Sequence, residues 1–300
     1  MEDLNCAVLL PCLNEETTIG QVIENFRIAL PESNVYVYDN GSTDLTSEIA
    51  SQKGAKVIFE SSRGKGIVLR RMLAEIDADV YVIADGDATY DPFESPVLIK
   101  RLLEDKLDMV VGARSSITGR TGHNVGNKAF NFLYRWLFGS GFTDIFSGYR
   151  VLSRRYVQSF PAATKGFEIE TEMSVHASQL RLPVAELPVT YHNRPEGSTS
   201  KLKTLPDGLR LLLQMFSLLK NNRPLAFFGF LGLTIGVVSL ILGLPVVFDY
   251  VETGLVEKLP TALAATGLSL VSVLLLSLGA LLDAVAKARI EVKRLIYLNS

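Results

Sequence analysis

Asp85 and Asp87 stand one residue apart in the stretch Val-Tyr-Val-Ile-Ala-Asp-Gly-Asp-Ala-Thr-Tyr-Asp-Pro, residues 80–92. The apolar, β-branched run Val80–Ala84 reads as a buried strand that carries both carboxylates at its C-terminal tip. Gly86 between them is expected to let the backbone bend. Two carboxylates this close repel, and one of them protonates unless a cation is shared. Hard divalent cations take carboxylate oxygens, so the pair reads as a site for Mg²⁺ or Mn²⁺. A solvated Asp-Gly turn carries the same three letters, so the surroundings decide.

The elements around the pair alternate. Cys6–Leu10, Val35–Tyr38, Lys56–Glu60, Val80–Ala84 and Met109–Ala113 read as strands, and Val184–Thr190 as a later one despite Pro188. Helices are expected over Thr17–Ala29, from Ser42 or Thr43 (either able to cap) to Lys53, from Arg63-Gly64-Lys65-Gly66 to Ile76, and over Leu98–Glu104. This alternation predicts a mostly parallel sheet with helices on both faces. Three strands end in polar clusters: Asn14-Glu15-Glu16, Asp39 to Asp44, and Asp85 to Asp87. In such a sheet these tips share one edge, where ligands sit. No G-x-G-x-x-G follows the first strand and no G-x-x-x-x-G-K-[ST] occurs, which disfavours a dinucleotide fold and a P-loop. Asp39 is placed to accept hydrogen bonds from the N–H or O–H groups of a base or ribose.

The chain has 300 residues, 30 basic and 32 acidic, so it lacks the electrostatic footprint of a nucleic-acid binder. Cys6 and Cys12 have no metal-ligand spacing and read as reduced cytosolic thiols. His123, His176 and His192 are scattered and read as structural. The N-terminus, Met-Glu-Asp, does not look like a signal peptide. Mean hydropathy is +0.24, and the excess lies in Leu225–Phe248 and Leu259–Leu282. Each is roughly 24 residues without a charge, long enough to span a bilayer. A hairpin that dimerises is the other reading. Lys and Arg flank both stretches on the outside, while Asp249, Glu252 and Glu257 dominate the connection. The positive-inside rule then predicts a multi-pass protein of the inner, cytoplasmic membrane, with both termini in the cytoplasm. The domains expected are 1–203, a juxtamembrane amphipathic helix at 204–223, and a two-helix membrane region at 224–300. Asn124–Phe138, aromatic and basic, suits either a membrane interface or a core.

Arg114 follows the fifth strand, and Thr143-Asp144-Ile145-Phe146-Ser147-Gly148-Tyr149-Arg150 comes later. Arg114 and Arg150 are candidates for a phosphate clamp, because guanidinium forks match phosphate oxygens. Together with Pro11 to Glu16, Asp39 to Asp44, Arg63 to Gly66 and Asp85-Gly86-Asp87, these segments resemble the inverting family 2 glycosyltransferases of GT-A fold. The likeness is greatest to polyprenyl-phosphate glycosyltransferases, including the dolichyl-phosphate mannose synthase group and bacterial undecaprenyl-phosphate enzymes with two C-terminal membrane helices. It covers about residues 5–205. The resemblance implies a Rossmann-like, mostly parallel sheet flanked by helices, followed by two transmembrane α-helices. It implies a nucleotide held by Pro11, Glu15, Asp39, Asp85 and Asp87, with Ser42, Lys65, Arg194 and Lys201 also on it. The metal falls to Asp85 and Asp87. The acceptor phosphate falls to Arg114, Ser147 and Arg150, and Asp144 joins Asp87, Arg114 and Arg150 as catalytic. Segment 194–201, with its Gly-Ser-Thr-Ser, reads as a lid over the diphosphate. Family members often carry Gln where Thr89 stands, to assist the metal.

The reaction expected is transfer of a hexose or N-acetylhexosamine from a nucleotide-sugar, with UDP the commoner carrier, to polyprenyl phosphate with inversion. The phosphate nucleophile is largely dianionic at neutral pH and needs positioning rather than a strong base. The product would feed a surface glycan or lipopolysaccharide through a separate flippase and a downstream glycosyltransferase. Homo-oligomerisation is left open. A glycan-elongating transferase is the alternative, but its Q-x-x-R-W pattern fails, with Phe132 where Gln would precede Arg135-Trp136. A non-catalytic nucleotide-sugar-binding adaptor is the other.

Overall fold

The computed structural model describes residues 4–114, 134–135, 142–164, 166, 168–194, 216–217 and 219–299. It divides into two units, Met1–Thr204 with Lys293–Ser300, and Leu205–Val292.

The first unit is a sheet with helices. Its strands are β1 (Cys6–Cys12), β2 (Asn34–Asp39), β3 (Lys56–Phe59), β4 (Val80–Ile83), β5 (Met109–Arg114), β6 (Arg150–Ser153) and β7 (Val184–Val189). The helices are α1 (Ile19–Ala29), α2 (Thr46–Gln52), α3 (Lys65–Glu75), α4 (Ser95–Glu104), α5 (Arg154–Ser159) and α6 (Ile169–Leu180). Among the described residues the strand order is β3-β2-β1-β4-β6-β5-β7. All pairings are parallel except those of β6, which runs antiparallel between β4 and β5. The sequence pattern assigns residues 143–150 to no strand, yet Arg150 begins this interior strand. Pro188 is tolerated because β7 is an edge strand, with one neighbour to satisfy. Pro11 likewise lies beyond the last pair that β1 makes with β4, Leu9 with Ile83.

Helix α1 buries Ile19, Val22, Ile23 and Phe26, a one-sided i, i+3, i+4, i+7 stripe. They join Val8, Leu10, Val37 and Val82 in the core beneath the strand tips. Helix α2 starts later than expected, at Thr46. Neither Ser42 nor Thr43 caps it; Asp44 Oδ1 accepts from the Thr46 N–H at 3.1 Å and its hydroxyl at 2.5 Å. A longer polar turn is thereby freed at the tip of β2.

The second unit holds α7 (Pro224–Thr253) and α8 (Leu259–Leu298, which ends in the first unit). Both are long and apolar enough to cross a membrane, and their most apolar windows are only 11% buried. Small residues let the two backbones approach: Ala265, Ser272, Gly279 and Ala286 recur every seven positions and are buried. Ser239 Oγ donates to the Ala265 carbonyl and Ser272 Oγ to that of Gly232, each at 2.7 Å. The hairpin is therefore sealed against itself, while its Leu, Val and Phe side chains face outward. The juxtamembrane helix expected at 204–223 and the helix expected at 124–138 lie almost wholly outside the described residues.

Candidate functional site

The three polar clusters meet, as parallel register dictates. Cys12 pairs with Asp39, and the Asn40 N–H donates to the Cys12 carbonyl at 2.8 Å. The Asn14 N–H donates to Ser42 Oγ, and Asn14 Oδ1 accepts from the Thr43 N–H, both at 2.8 Å. Thr18 Oγ1 donates to the Gly86 carbonyl at 2.7 Å, tying the start of α1 to the carboxylate turn. Asp39 is buried; Oδ1 accepts from the Ser42 N–H and hydroxyl (2.8 and 2.5 Å), and Oδ2 from Ser47 at 2.6 Å. Glu15 is buried next to them, its N–H donating to Thr46 Oγ1 at 2.8 Å. Pro11 pairs with Tyr38 at the end of β1.

At the tip of β4 the bend is not where sequence suggested. Ala88 takes the left-handed conformation, φ 60°, whereas Gly86 is needed for packing. A Cβ on Gly86 would lie 2.6 Å from Cys12 Sγ. The turn so formed gives the two aspartates different surroundings. Asp87 is buried; its Oδ1 accepts from the Thr89 N–H (3.1 Å) and hydroxyl (2.6 Å), and its Oδ2 lies 2.5 Å from Arg194 Nη2. Burial and then the charge of Asp85 push its pKa up, against the pull of Thr89 and Arg194. Asp85 is 29% exposed and pairs with Lys65 Nζ at 2.6 Å. Lys65 also touches Glu170 Oε1 at 2.6 Å. Burial works against the charge on Lys65, but Asp85 and Glu170 outweigh it and hold it protonated. Glu170 Oε2 is buried without a hydrogen-bond partner, and burial raises the Glu170 pKa against the opposing field of Lys65. Glu168, the residue before α6, is half-buried, whereas Glu170, inside the helix, is buried.

Gly148 closes the other side of Asp85. A Cβ there would lie 2.7 Å from Asp85 Oδ2 and 3.3 Å from Lys65 Nζ. The Gly148 N–H donates to Tyr90 Oη at 2.9 Å. Tyr90 packs edge-on against Tyr191 (centroids 5.2 Å apart), and the Arg114 guanidinium lies 5.4 Å from the Tyr191 ring centroid. Arg114 Nε and Nη2 donate to the two oxygens of Asp144, each at 2.7 Å, a bidentate pair. Burial opposes the charge on Arg114, and Asp144 more than restores it. The aromatic pair thus links an arginine half of the site to the carboxylate half.

Two expected acceptor residues are corrected. Arg150 is wholly buried, and its guanidinium donates to the carbonyls of Ser147 and Ile145 (both 2.9 Å), to Ser174 Oγ at 3.0 Å and toward Met109 Sδ at 3.4 Å. It braces the segment before β6 and has no fork left for a phosphate. Ser147 is equally buried, its hydroxyl donating to the Gly112 carbonyl at 2.5 Å. Lys201 and the lid segment after Arg194 lie outside the described residues, as does His123. His176 is buried against Tyr156 and Phe160, and the exposed His192 donates its N–H to the Thr89 carbonyl at 2.8 Å.

The sequence pattern of glycosyl transferase family 2 matches residues 7–160, about half of the chain. The chain belongs to glycosyl transferase family 2. It is similar to glycosyltransferase AglJ of Haloferax volcanii, 33% identical over 295 residues and covering 96% of each chain. It is also similar to a dolichyl-phosphate hexose transferase of the same organism, 31% identical over 63% of this chain and 83% of that one. Among solved structures, glucosyl-3-phosphoglycerate synthase of Mycobacterium tuberculosis with Mn²⁺ and UDP-glucose matches with a TM-score of 0.58 at 26% identity, covering 73% of this chain and 79% of that one. The same enzyme has been solved with Mg²⁺ and UDP. The fold is the GT-A fold of these glycosyltransferases.

Proposed function

We propose that this family 2 enzyme moves a hexose or N-acetylhexosamine from a nucleotide-sugar, a UDP-sugar first, to polyprenyl phosphate with inversion. The observation that carries the reading is the carboxylate pair at the tip of β4, linked through Tyr90 and Tyr191 to Arg114 and followed in the chain by two apolar helices. The relative named for a dolichyl-phosphate acceptor supports the same acceptor class.

The residues present fit a hard divalent cation. Asp85 and Asp87 offer carboxylate oxygens, and Gly148 leaves the space beside Asp85 Oδ2 that a Cβ would fill. Among the described residues no three His, Cys, Asp or Glu gather as ligands, so diphosphate oxygens and water would complete the shell. Mg²⁺ or Mn²⁺ there would neutralise charge on the leaving diphosphate. Asp87, held by Thr89, fixes one carboxylate direction. Asp39, Glu15 and Ser42 line the neighbouring tips, where the nucleoside would lie. Among the described residues Arg114, oriented by Asp144, would position the acceptor phosphate. That phosphate is its own nucleophile, so proton removal is not required. Its attack opposite the leaving group inverts the anomeric centre.

Both apolar helices span the inner membrane in this reading, with the first unit on the cytoplasmic side where nucleotide-sugars are made. The lipid-linked sugar would then pass to a flippase and a second transferase for a surface glycan. The test incubates membranes with radiolabelled nucleotide-sugars and polyprenyl phosphate and counts label in extracted lipid. Label should enter lipid with one donor, vanish in EDTA, return with Mg²⁺ or Mn²⁺, and be lost in Asp87→Asn. Label in no lipid fraction with any donor would refute the acceptor class.

A further inference from the structure

Each carboxylate of the pair already has a cation of its own. Lys65 Nζ sits 2.6 Å from Asp85 Oδ1, and Arg194 Nη2 sits 2.5 Å from Asp87 Oδ2. Both contacts are shielded: the Lys65 and Asp87 side chains are 10% and 3% exposed. Neither cation is there by chance of a flexible surface. Lys65 is fixed at the first residue of α3 and shared with Glu170 at 2.6 Å. Arg194 follows the Tyr90–Tyr191 bridge and the His192 N–H bond to Thr89, which pin its backbone beside the turn that carries Asp87.

We infer that Lys65 and Arg194 are resident counter-ions of the two-carboxylate site, held there until a divalent cation enters and then transferred to the diphosphate. The inference rests on the reading of the site as a metal–diphosphate site and adds an exchange to it. Among the described residues three carboxylates (Asp85, Asp87 and Glu170) face the two cations Lys65 and Arg194, an arrangement that attracts a divalent ion. A divalent ion beside Asp85 and Asp87 repels both resident cations. Lys65 retains Glu170 as a second partner, so its ammonium can leave Asp85 without losing every buried partner. Arg194 has a fork suited to phosphate oxygens. The prediction runs against ordinary intuition for basic active-site residues: removing either one should strengthen metal binding by itself while weakening the diphosphate.

The experiment titrates the purified full chain with Mn²⁺, read by electron paramagnetic resonance of free Mn²⁺, without and with inorganic pyrophosphate, in wild type, Lys65→Met and Arg194→Gln. A neighbouring cation alters a carboxylate's affinity for a proton by about one to three decades. On that scale each variant should bind Mn²⁺ alone roughly tenfold more tightly than wild type. Pyrophosphate should tighten Mn²⁺ in wild type and do so several-fold less in either variant. Lys65→Met leaves Glu170 buried without its cation, so the deciding variant is Arg194→Gln, whose side chain is 30% exposed. Mn²⁺ affinity equal to or below wild type in Arg194→Gln overturns the exchange. No sugar or lipid enters this titration, so it stands or falls apart from the identity of donor and acceptor.

Discussion

Replacing Arg150 by Met separates a brace from a phosphate clamp. The substitution keeps most of the aliphatic stem and removes the guanidinium. Two buried carbonyls, those of Ile145 and Ser147, lose their donor, and Ser174 Oγ loses a third contact. An orphaned buried acceptor costs about 1–3 kcal/mol, so the two carbonyls together cost about 4 kcal/mol. For a domain of this size each kcal/mol lowers Tm by about 2–4 °C, which gives a fall of about 8–16 °C. The assay is a circular dichroism melt of the purified chain, run beside acceptor titration at a temperature well below the variant's Tm. Arg114→Met is the contrast. Its guanidinium is partly exposed and, among the described residues, hydrogen-bonded to Asp144, so stability should fall less while KM for polyprenyl phosphate rises at least about tenfold, the worth of one charged hydrogen bond. A wild-type Tm in Arg150→Met together with a raised acceptor KM would refute the argument and return Arg150 to the acceptor site.

Gly148→Ala places a methyl 2.7 Å from Asp85 Oδ2. The carboxylate must move, and a displacement near 1 Å at a reacting centre costs about 100-fold in rate; initial-rate assays should show that loss with Tm little changed, and unaltered kcat would remove Asp85 from the site. His176 supplies a pH test. Burial, then the charge of Lys293, lowers its pKa to about 3 from 6.5, so its contribution is complete above pH 6.5 and drains away as pH falls from 6.5 toward 3. Asp87 and Glu170, whose pKa values are raised, act with the opposite sign and lose stability as pH rises through their folded values. Comparing His176→Phe with wild type isolates the imidazole: wild type should lose about 2 kcal/mol more between about pH 6.5 and pH 5, and parallel denaturation curves would contradict its burial as the neutral form. Topology is checked by labelling intact cells with an impermeant maleimide. Thr253→Cys should react and Ser300→Cys should not, the native Cys6 and Cys12 being buried; the reverse pattern would invert the proposed orientation.

The edge where the clusters meet was legible because it follows from two periodic facts. Apolar strand runs end in polar residues, and parallel strands put those ends together. What failed were inferences about single side chains. Arg150 and Ser147 lie in a motif of small and polar residues without a strand pattern, yet the chain enters an interior antiparallel strand there; Ser147 turns onto the β5 carbonyl of Gly112, and Arg150 onto the carbonyls of Ile145 and Ser147 just before β6. A strand of four residues carries too short a pattern to declare itself. The bend after β4 was assigned to the glycine, the residue that most often bends. Ala88 bends instead, because Gly86 is required where Cys12 Sγ leaves no room for a side chain. Glu168, Glu170 and Glu172 alternate at the start of α6, and only the buried position of Glu170 beside Lys65 sets it apart, which the letters do not show.

The letters Asp-Gly-Asp are symmetric, but the site they make is not. Asp87 is locked by the Thr89 backbone and hydroxyl on one oxygen and by Arg194 on the other. Asp85 is more open and is paired with the Lys65 ammonium, which Glu170 shares. In the proposed function the locked carboxylate would set a direction for the cation, and the more open one would tolerate a change in ligand geometry as a diphosphate leaves. In the proposed site Thr89 would act through Asp87, by bonding it, rather than as the metal-assisting residue the resemblance implies for a Gln at this position. Thr89→Val, which keeps the shape and deletes the hydroxyl, should loosen Asp87 while leaving the Thr89 N–H bond in place. One of the two short-range contacts on Oδ1 is then lost, about 1–2 kcal/mol for a charged hydrogen bond, or roughly a tenfold loss in kcat at saturating metal. Thr89→Ser, which retains the hydroxyl, should restore the rate. Equal rates in the Val and Ser variants would mean that the backbone N–H alone orients Asp87.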